Sequence, residues 1–234
     1  DIRRNVWKNE GEICGNGIDD DDNGFVDDCY GYNFADDTGE DDLFGSESHG
    51  THVSGTIAAD TDNGVGVAGV AGGKNGEPGV KLLTATVYGR TDDSGNDEAI
   101  VYAADMKARV SSNSWAYSSF GSYDQSVIDA IDYATDAGSG GVFAAGNDDT
   151  DFPTYPGHYH KTVFVAAVNV DGTRASFSIY GFSVDISAPG VDVLSTIQDT
   201  YDYNSGTSMA CPHVSGVLAL GFSANPDLSN HAAL

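Results

Sequence analysis

Three segments of the 234-residue chain carry side chains that could act together on an acyl group. The first is Ser48-His49-Gly50-Thr51-His52-Val53-Ser54-Gly55-Thr56, where His49 opens a helix of small residues against which another element must pack closely. The second, Phe143-Ala144-Ala145-Gly146-Asn147, is a buried strand ending in an amide side chain. The third, Asn204-Ser205-Gly206-Thr207-Ser208-Met209-Ala210-Cys211-Pro212-His213, puts a serine at the start of an apolar helix, behind a glycine that permits close approach. A base, an amide donor and a hydroxyl are the inventory of acyl transfer. The imidazole takes the hydroxyl proton, and the amide stabilises the tetrahedral oxyanion. A serine at a helix N-terminus also gains from backbone N–H groups aimed at developing negative charge. Taken singly, each segment has a plainer reading as a structural histidine, a turn or a helix cap. Their joint occurrence favours chemistry.

Such groups need elements to hold them. Apolar periodicity predicts helices over 51–59, 96–107, 123–137 and 207–222. Asn96 or Asp97 would cap the second and Gly138 would stop the third, while Pro212 falls in the first turns of the fourth. Buried strands are predicted over 80–87, 109–112, 141–145 and 162–168. Alternation of strands and helices with short connections indicates an α/β domain on a mainly parallel central sheet flanked by helices. Ligands of such sheets bind beyond the carboxyl ends of the strands. Residues 1–48 are polar, acidic and punctuated by glycine, and read as loop with little regular structure.

Composition sets further bounds. The length and the 40% apolar share suit one domain with a sizeable core. No apolar run approaches the ~18 residues of a membrane span. The net charge of −26, from 36 acidic and 10 basic residues, disfavours nucleic acid and anionic membranes and suits cations. Acid is densest from Asp19 to Asp42. Of the three cysteines, Cys14 and Cys29 flank the acidic cluster, and whether they are bridged stays open; Cys211 sits in an apolar segment and reads as a buried free thiol.

The three segments resemble the histidine, oxyanion-asparagine and serine boxes of the subtilase family, in the family's chain order. The resemblance continues through Tyr155-Pro156-Gly157 with residues 163–168, Arg174-Ala175-Ser176-Phe177-Ser178, Asp185-Ile186-Ser187-Ala188-Pro189-Gly190 and residues 226–234. It implies a three-layer subtilisin-like fold, with residues 1–234 forming most of one catalytic domain, truncated at both ends. It also implies a secreted or secretory-lumen serine endopeptidase that acts on proteins or peptides and is made with an inhibitory prosegment. Ser208 would be the nucleophile, His49 the general base and acid, and Asn147 the oxyanion donor; His52 and His213 fall outside the triad. An extended substrate would pair with Asp93-Ser94-Gly95 and with Ser114-Trp115-Ala116, where Ala116 replaces the glycine of many relatives. Ala144, Ala145, Gly146 and Thr154 would line the first pocket. Asp148, Asp149 and Asp151 lie near it, as a rim selecting Lys or Arg or simply as exposed loop charge. The alternative is a catalytically dead subtilase fold kept for binding; an intact His49, Asn147 and Ser208 argue against it.

The family's third triad member is an aspartate in Asp-(Ser/Thr)-Gly at the end of an apolar strand. Asp37-Thr38-Gly39 has the wording but follows no such strand and stands too close to His49. Asp1-Ile2 resembles the end of the segment that follows the catalytic aspartate, which is therefore expected shortly before Asp1. A chain without that aspartate is expected to lose about 10⁴ in rate.

Calcium is the cofactor expected. Asp19, Asp21, Asn23 and Gly24 follow the spacing D-x-D-x-N-G, with the carbonyl of Phe25 and the carboxylate of Asp27 or Asp28 as further ligands. Tyr30 stands where an EF-hand loop closes on glutamate, so the site would be shorter than an EF hand. A second site, implied by the resemblance of residues 60–69 to the family's calcium loop, would use Asn63 and the carbonyls of Val65 and Val67, with Asp1 as a possible further ligand.

Overall fold

The structure, a computed structural model, describes residues 1–39, 48–88, 95–117 and 121–230. A short 3-10 turn at Arg3–Asn5 leads to β1 (Gly31–Asn33) and α1 (His49–Ala58). A hairpin of β2 (Gly73–Lys74) and β3 (Glu77–Pro78) precedes β4 (Thr84–Thr86) and α2 (Asn96–Asp105). Then come β5 (Val110–Asn113), α3 (Gln125–Ala137), β6 (Gly140–Ala144), β7 (Thr162–Val168) and β8 (Ile186–Pro189). The hairpin β9 (Val193–Ile197) and β10 (Thr200–Asn204) delivers the chain to α4 (Thr207–Ala224).

Strands β5-β6-β7-β8 form a parallel sheet in sequence order, and β1 pairs in parallel with β4. Alternation along β6 explains the layers. Val142 and Ala144 face α4 and pack with Val163, Val165, Ala210, Cys211 and Val214. Phe143, between them, points the other way onto Ile100 of α2 and Val127, Ile128 and Ile131 of α3. One helix on one face and two on the other give the three-layer α/β arrangement expected from the sequence.

Differences from expectation have local causes. The strand expected over 80–87 shrinks to β4, because its partner β1 offers only three residues of ladder. That partner lies in the stretch read as loop. The cap of α2 is Gly95, at φ 90°, rather than Asn96 or Asp97, both of which are already helical. Helix α3 starts at Gln125, since Asp124 caps it by accepting from Ser126 N at 2.9 Å. Gly138 stops α3 at φ 96°, as expected. Cys14 and Cys29 are joined, and Cys211 is a buried free thiol. No described helix is long and apolar enough to cross a membrane.

Candidate active site

Two helices set the site. His49 is the first residue of α1, and Ser208 is the second of α4. One turn beyond His49, Val53 packs in the same cluster as Met209, the neighbour of Ser208. Small residues and hydroxyls bring α1 against β9, a strand of the hairpin that leads into α4. A Cβ at Gly55 would lie 2.1 Å from Thr196 Oγ1, so only glycine admits β9 at this distance. Ser195 and Thr196 of β9 donate to the carbonyls of His52 and Thr51, at 2.7 and 2.8 Å.

Ser208 and Ser114 hold each other. Pro212 has no N–H and cannot make the helical bond to the carbonyl of Ser208. That carbonyl accepts instead from Ser114 Oγ at 2.8 Å, and Ser208 Oγ donates to the carbonyl of Ser114 at 3.3 Å. The Ser114 carbonyl also accepts from Tyr88 OH at 3.3 Å, and the Tyr88 ring meets the imidazole of His49 edge-on, centroids 5.9 Å apart. Tyr88 and Ser114 therefore place His49 and Ser208 in one neighbourhood.

Asn147 follows β6 at the carboxyl end of the sheet. Its side-chain oxygen accepts from Thr207 N at 2.9 Å and from Thr207 Oγ1 at 3.1 Å. The Thr207 hydroxyl in turn accepts from Gly146 N at 3.0 Å. Two donors on the oxygen fix the amide orientation and leave its NH₂ as a donor. A Cβ built on Gly206 would lie 3.5 Å from Asn147 Nδ2 and 3.7 Å from Ser208 N. The Asn147 amide and the Ser208 backbone nitrogen thus lie close to one another around Gly206, at the start of α4.

Most residues of the expected substrate surface are described. Trp115 follows Ser114, its indole N–H donating to Asn113 Oδ1 at 3.2 Å and its ring 5.4 Å from Phe143; Ala116 beyond it is exposed. Ala144 and Ala145 are buried, and Thr154 Oγ1 donates to the carbonyl of Ala145 at 3.1 Å. Gly95 is described, but Ser94 lies outside the described residues. Of the acidic rim, Asp149 is paired with Arg174 at 2.8 Å.

His52 and His213 are structural in their contacts. His52 is fully buried with Nε2 3.0 and 3.2 Å from the carbonyls of Val193 and Asp202, and burial lowers its pKa. His213 sits 2.8 Å from the carbonyl of Met209, and burial lowers its pKa as well. Asp37, in the Asp-Thr-Gly wording, accepts from Tyr32 OH at 2.9 Å.

The acidic loop brings together two of the carboxylates expected as metal ligands and a third that was not among them. Glu12, Asp21 and Asp28 bring one carboxylate oxygen each within 4.8 Å of one another. Glu12 was not expected: it precedes the D-x-D motif and no spacing marks it. Asp19 lies outside this cluster, accepting from the backbone of Asn23 and Gly24 at 3.1 and 2.8 Å. Asn23 donates to Asp28 at 3.0 Å, and the Phe25 ring packs into an aromatic cluster. At the second expected site, Asn63 donates to Asp1 at 2.6 Å, and the backbone N–H groups of Val65 and Val67 bond to Asn63 Oδ1 and Asp1 Oδ2. Tyr88 and Thr207 were also missed. Tyr88 directly follows an expected strand, and Thr207 adjoins Ser208, so their positions were the available signals.

Comparison with known proteins finds relatives of this chain. A family model described as the subtilase family matches residues 4–233. The thermophilic serine proteinase of Bacillus sp. (strain AK1) is 40% identical over 194 residues, covering 81% of this chain and 46% of that protein. Thermitase of Thermoactinomyces vulgaris is 40% identical over 190 residues, covering 78% of this chain and 63% of thermitase. The chain therefore spans between about half and two thirds of the length of these relatives. Among solved structures, a protease from Pseudoalteromonas arctica superposes with a TM-score of 0.74 at 30% identity, covering 87% of this chain and 74% of the other. Sphericase superposes with a TM-score of 0.69 at 33% identity, covering 80% and 67%.

Proposed function

The chain belongs to the subtilase family, and on that premise we propose that it is the catalytic core of a serine endopeptidase. The observation that carries the proposal is that Asn147, its side-chain oxygen held by Thr207, lies beside the first turn of α4 that carries Ser208. In the proposed reaction Ser208 Oγ attacks the scissile carbonyl carbon while its proton passes to His49. The carbonyl oxygen becomes an oxyanion held by the Asn147 amide and the Ser208 N–H. His49 then protonates the departing amine as the C–N bond breaks, leaving an ester on Ser208. Water, deprotonated by His49, hydrolyses that ester and restores the serine. The reaction also needs a carboxylate to orient His49; Asp37 accepts a hydrogen bond from Tyr32 and is not assigned to that role.

Substrates are extended protein or peptide chains laid between the edge at Gly95 and the segment Ser114-Trp115-Ala116. The Asp149–Arg174 pair weakens the case for a rim that selects basic residues. A secreted or lumenal location fits the Cys14–Cys29 bridge, and an inhibitory prosegment remains part of the reading. Calcium is the proposed structural ion. The acidic loop offers only oxygen donors, which suit a hard cation, and Oε2 of the buried Glu12 has no described partner. Such an ion would offset the loop's charge.

A fluorophosphonate probe on the intact protein tests the proposal. Covalent labelling at Ser208, lost in Ser208→Ala and accompanied by peptide cleavage, supports it. Failure to label, with peptides still bound, would instead favour a catalytically dead fold kept for binding.

A further inference from the structure

The acidic loop is wired to the substrate-binding edge. Asp28 is fully buried and accepts from Asn9, Asn23 and Tyr102, the Tyr102 hydroxyl lying 2.8 Å from Oδ2. Asn9 also donates to Asp21 at 2.9 Å. Oε1 of Glu12 accepts from the backbone of Asp20 and Asp21, while its Oε2 is buried without a partner. Glu12 is only 6% exposed. Among the described residues no lysine or arginine pairs with this trio. Glu12 and Asp28 are buried and Asp21 is exposed, and carboxylates this close together repel unless a cation lies between them.

Tyr102 sits on α2, two turns from its cap at Gly95. Gly95, Ala99 and Tyr102 follow i, i+4, i+7 spacing and share one stripe of the helix. That stripe lies on an aromatic cluster. A Cβ at Gly95 would lie 3.1 Å from Phe34 Cβ, and the Phe34 ring stands 5.5 Å from Tyr102 and 5.6 Å from Phe25. Phe25 belongs to the loop between Asp21 and Asp28 and stands 4.9 Å from Tyr102. Two routes therefore run from the carboxylates to Gly95. One is the hydrogen bond from Asp28 to Tyr102 and along α2, and the other is the packing of Phe25 through Phe34.

We propose that Glu12 joins Asp21 and Asp28 in holding a calcium ion, and that this ion positions the substrate edge at Gly95, setting peptide affinity rather than the reactivity of Ser208. The coupling rests on the endopeptidase reading; the ligand set does not. Two substitutions separate its parts. Glu12→Gln removes a ligand charge, and Tyr102→Phe keeps the ring but cuts the bond to Asp28.

The test uses the intact protein. Terbium(III), a luminescent stand-in for calcium, is titrated in while tyrosine-sensitised emission is read. Hydrogen exchange over residues 95–105 is followed in calcium and in chelator. Expected are tyrosine-sensitised emission that calcium displaces, and affinity about tenfold or more weaker in Glu12→Gln. Calcium should slow exchange at the start of α2 in the wild type but much less in Tyr102→Phe. Tyr102→Phe should also raise KM for an extended peptide several-fold, with kcat and the fluorophosphonate labelling rate of Ser208 unchanged. Wild-type terbium affinity in Glu12→Gln overturns the ligand assignment. Calcium-independent exchange over 95–105 in the wild type, which needs no variant, overturns the coupling, as does an unchanged KM in Tyr102→Phe. Absence of labelling in the wild type would strike the endopeptidase reading and leave the terbium and exchange results standing.

Discussion

The region around Ser208 and the region around Asp28 place polar groups with comparable care, by different means. At Ser208 the positions follow from regular structure: β6 delivers Asn147, α4 delivers Ser208, and an apolar core fixes the two together. Around Asp28 there is almost no regular structure. Between Asn9 and Asp28 the loop is held by side-chain bonds such as Asn16 to Asp20 and Asp27 to the backbone of Asn16 and Gly17, and by the Cys14–Cys29 bridge. The first region is rigid because folding the domain makes it so. The second gathers carboxylates, and on the proposed calcium reading it depends on what ions surround it.

Substitution at Ser208 draws this contrast most strongly. Ser208→Ala should lower kcat by about 10⁶. It should barely move the melting temperature, since the hydroxyl makes one long bond of 3.3 Å. Active-site titration beside a thermal melt checks both halves. A large stability loss would mean that Ser208 supports the fold more than its contacts imply.

Asn147→Ala comes next, with kcat expected to fall by about 10²–10³ and KM little changed. The oxyanion forms only as the reaction proceeds, so the loss belongs to the transition state. Steady-state kinetics decide the point. A change confined to KM would show that the amide binds substrate in its ground state.

Chelation should invert the pattern. Removing calcium held at 100 times its Kd would cost about 2.7 kcal/mol of stability. The loss should appear first as faster hydrogen exchange and proteolysis within residues 9–39, with β6 and β7 still protected. Uniform loss of protection across the chain would erase the distinction between the regions.

The same distinction explains what was legible in the sequence. Strand β7 was read to the residue, because seven apolar or small residues bounded by polar ones leave little choice. His49, Asn147 and Ser208 stood out in the sequence at the ends of predicted elements, and the roles expected of them came from the resemblance to the subtilase boxes. Glu12 was not, since its relation to Asp21 and Asp28 comes from Asx-type turns and a bridge that leave no periodic trace. Tyr88 was hidden for another reason. Its role is to share the Ser114 carbonyl with Ser208, a contact between distant segments. The extra strand β1 went unread because Gly31–Asn33 is too short to show alternation.

The smallest effect expected is a pH dependence located in the rigid region. His52 is fully buried, and loss of hydration holds its pKa below the ordinary 6.5. Nε2 faces two carbonyl oxygens and so carries the proton of the neutral ring, while Nδ1 has no described partner. A second proton would leave a charged N–H buried and unbonded. The unfolded chain therefore takes up a proton at higher pH than the folded one. Stability from this group is complete above about pH 6.5 and falls as the pH drops toward the lower folded pKa, with a limiting slope of about 1.4 kcal/mol per pH unit. His213, its pKa also lowered by burial, adds a slope of the same sign. Melting temperatures across pH 5 to 8 should decline on the acid side in the wild type. His52→Gln should be less stable at pH 8 and show a flatter acid decline. An identical slope in the variant would move the acid sensitivity away from His52, leaving His213 as its source.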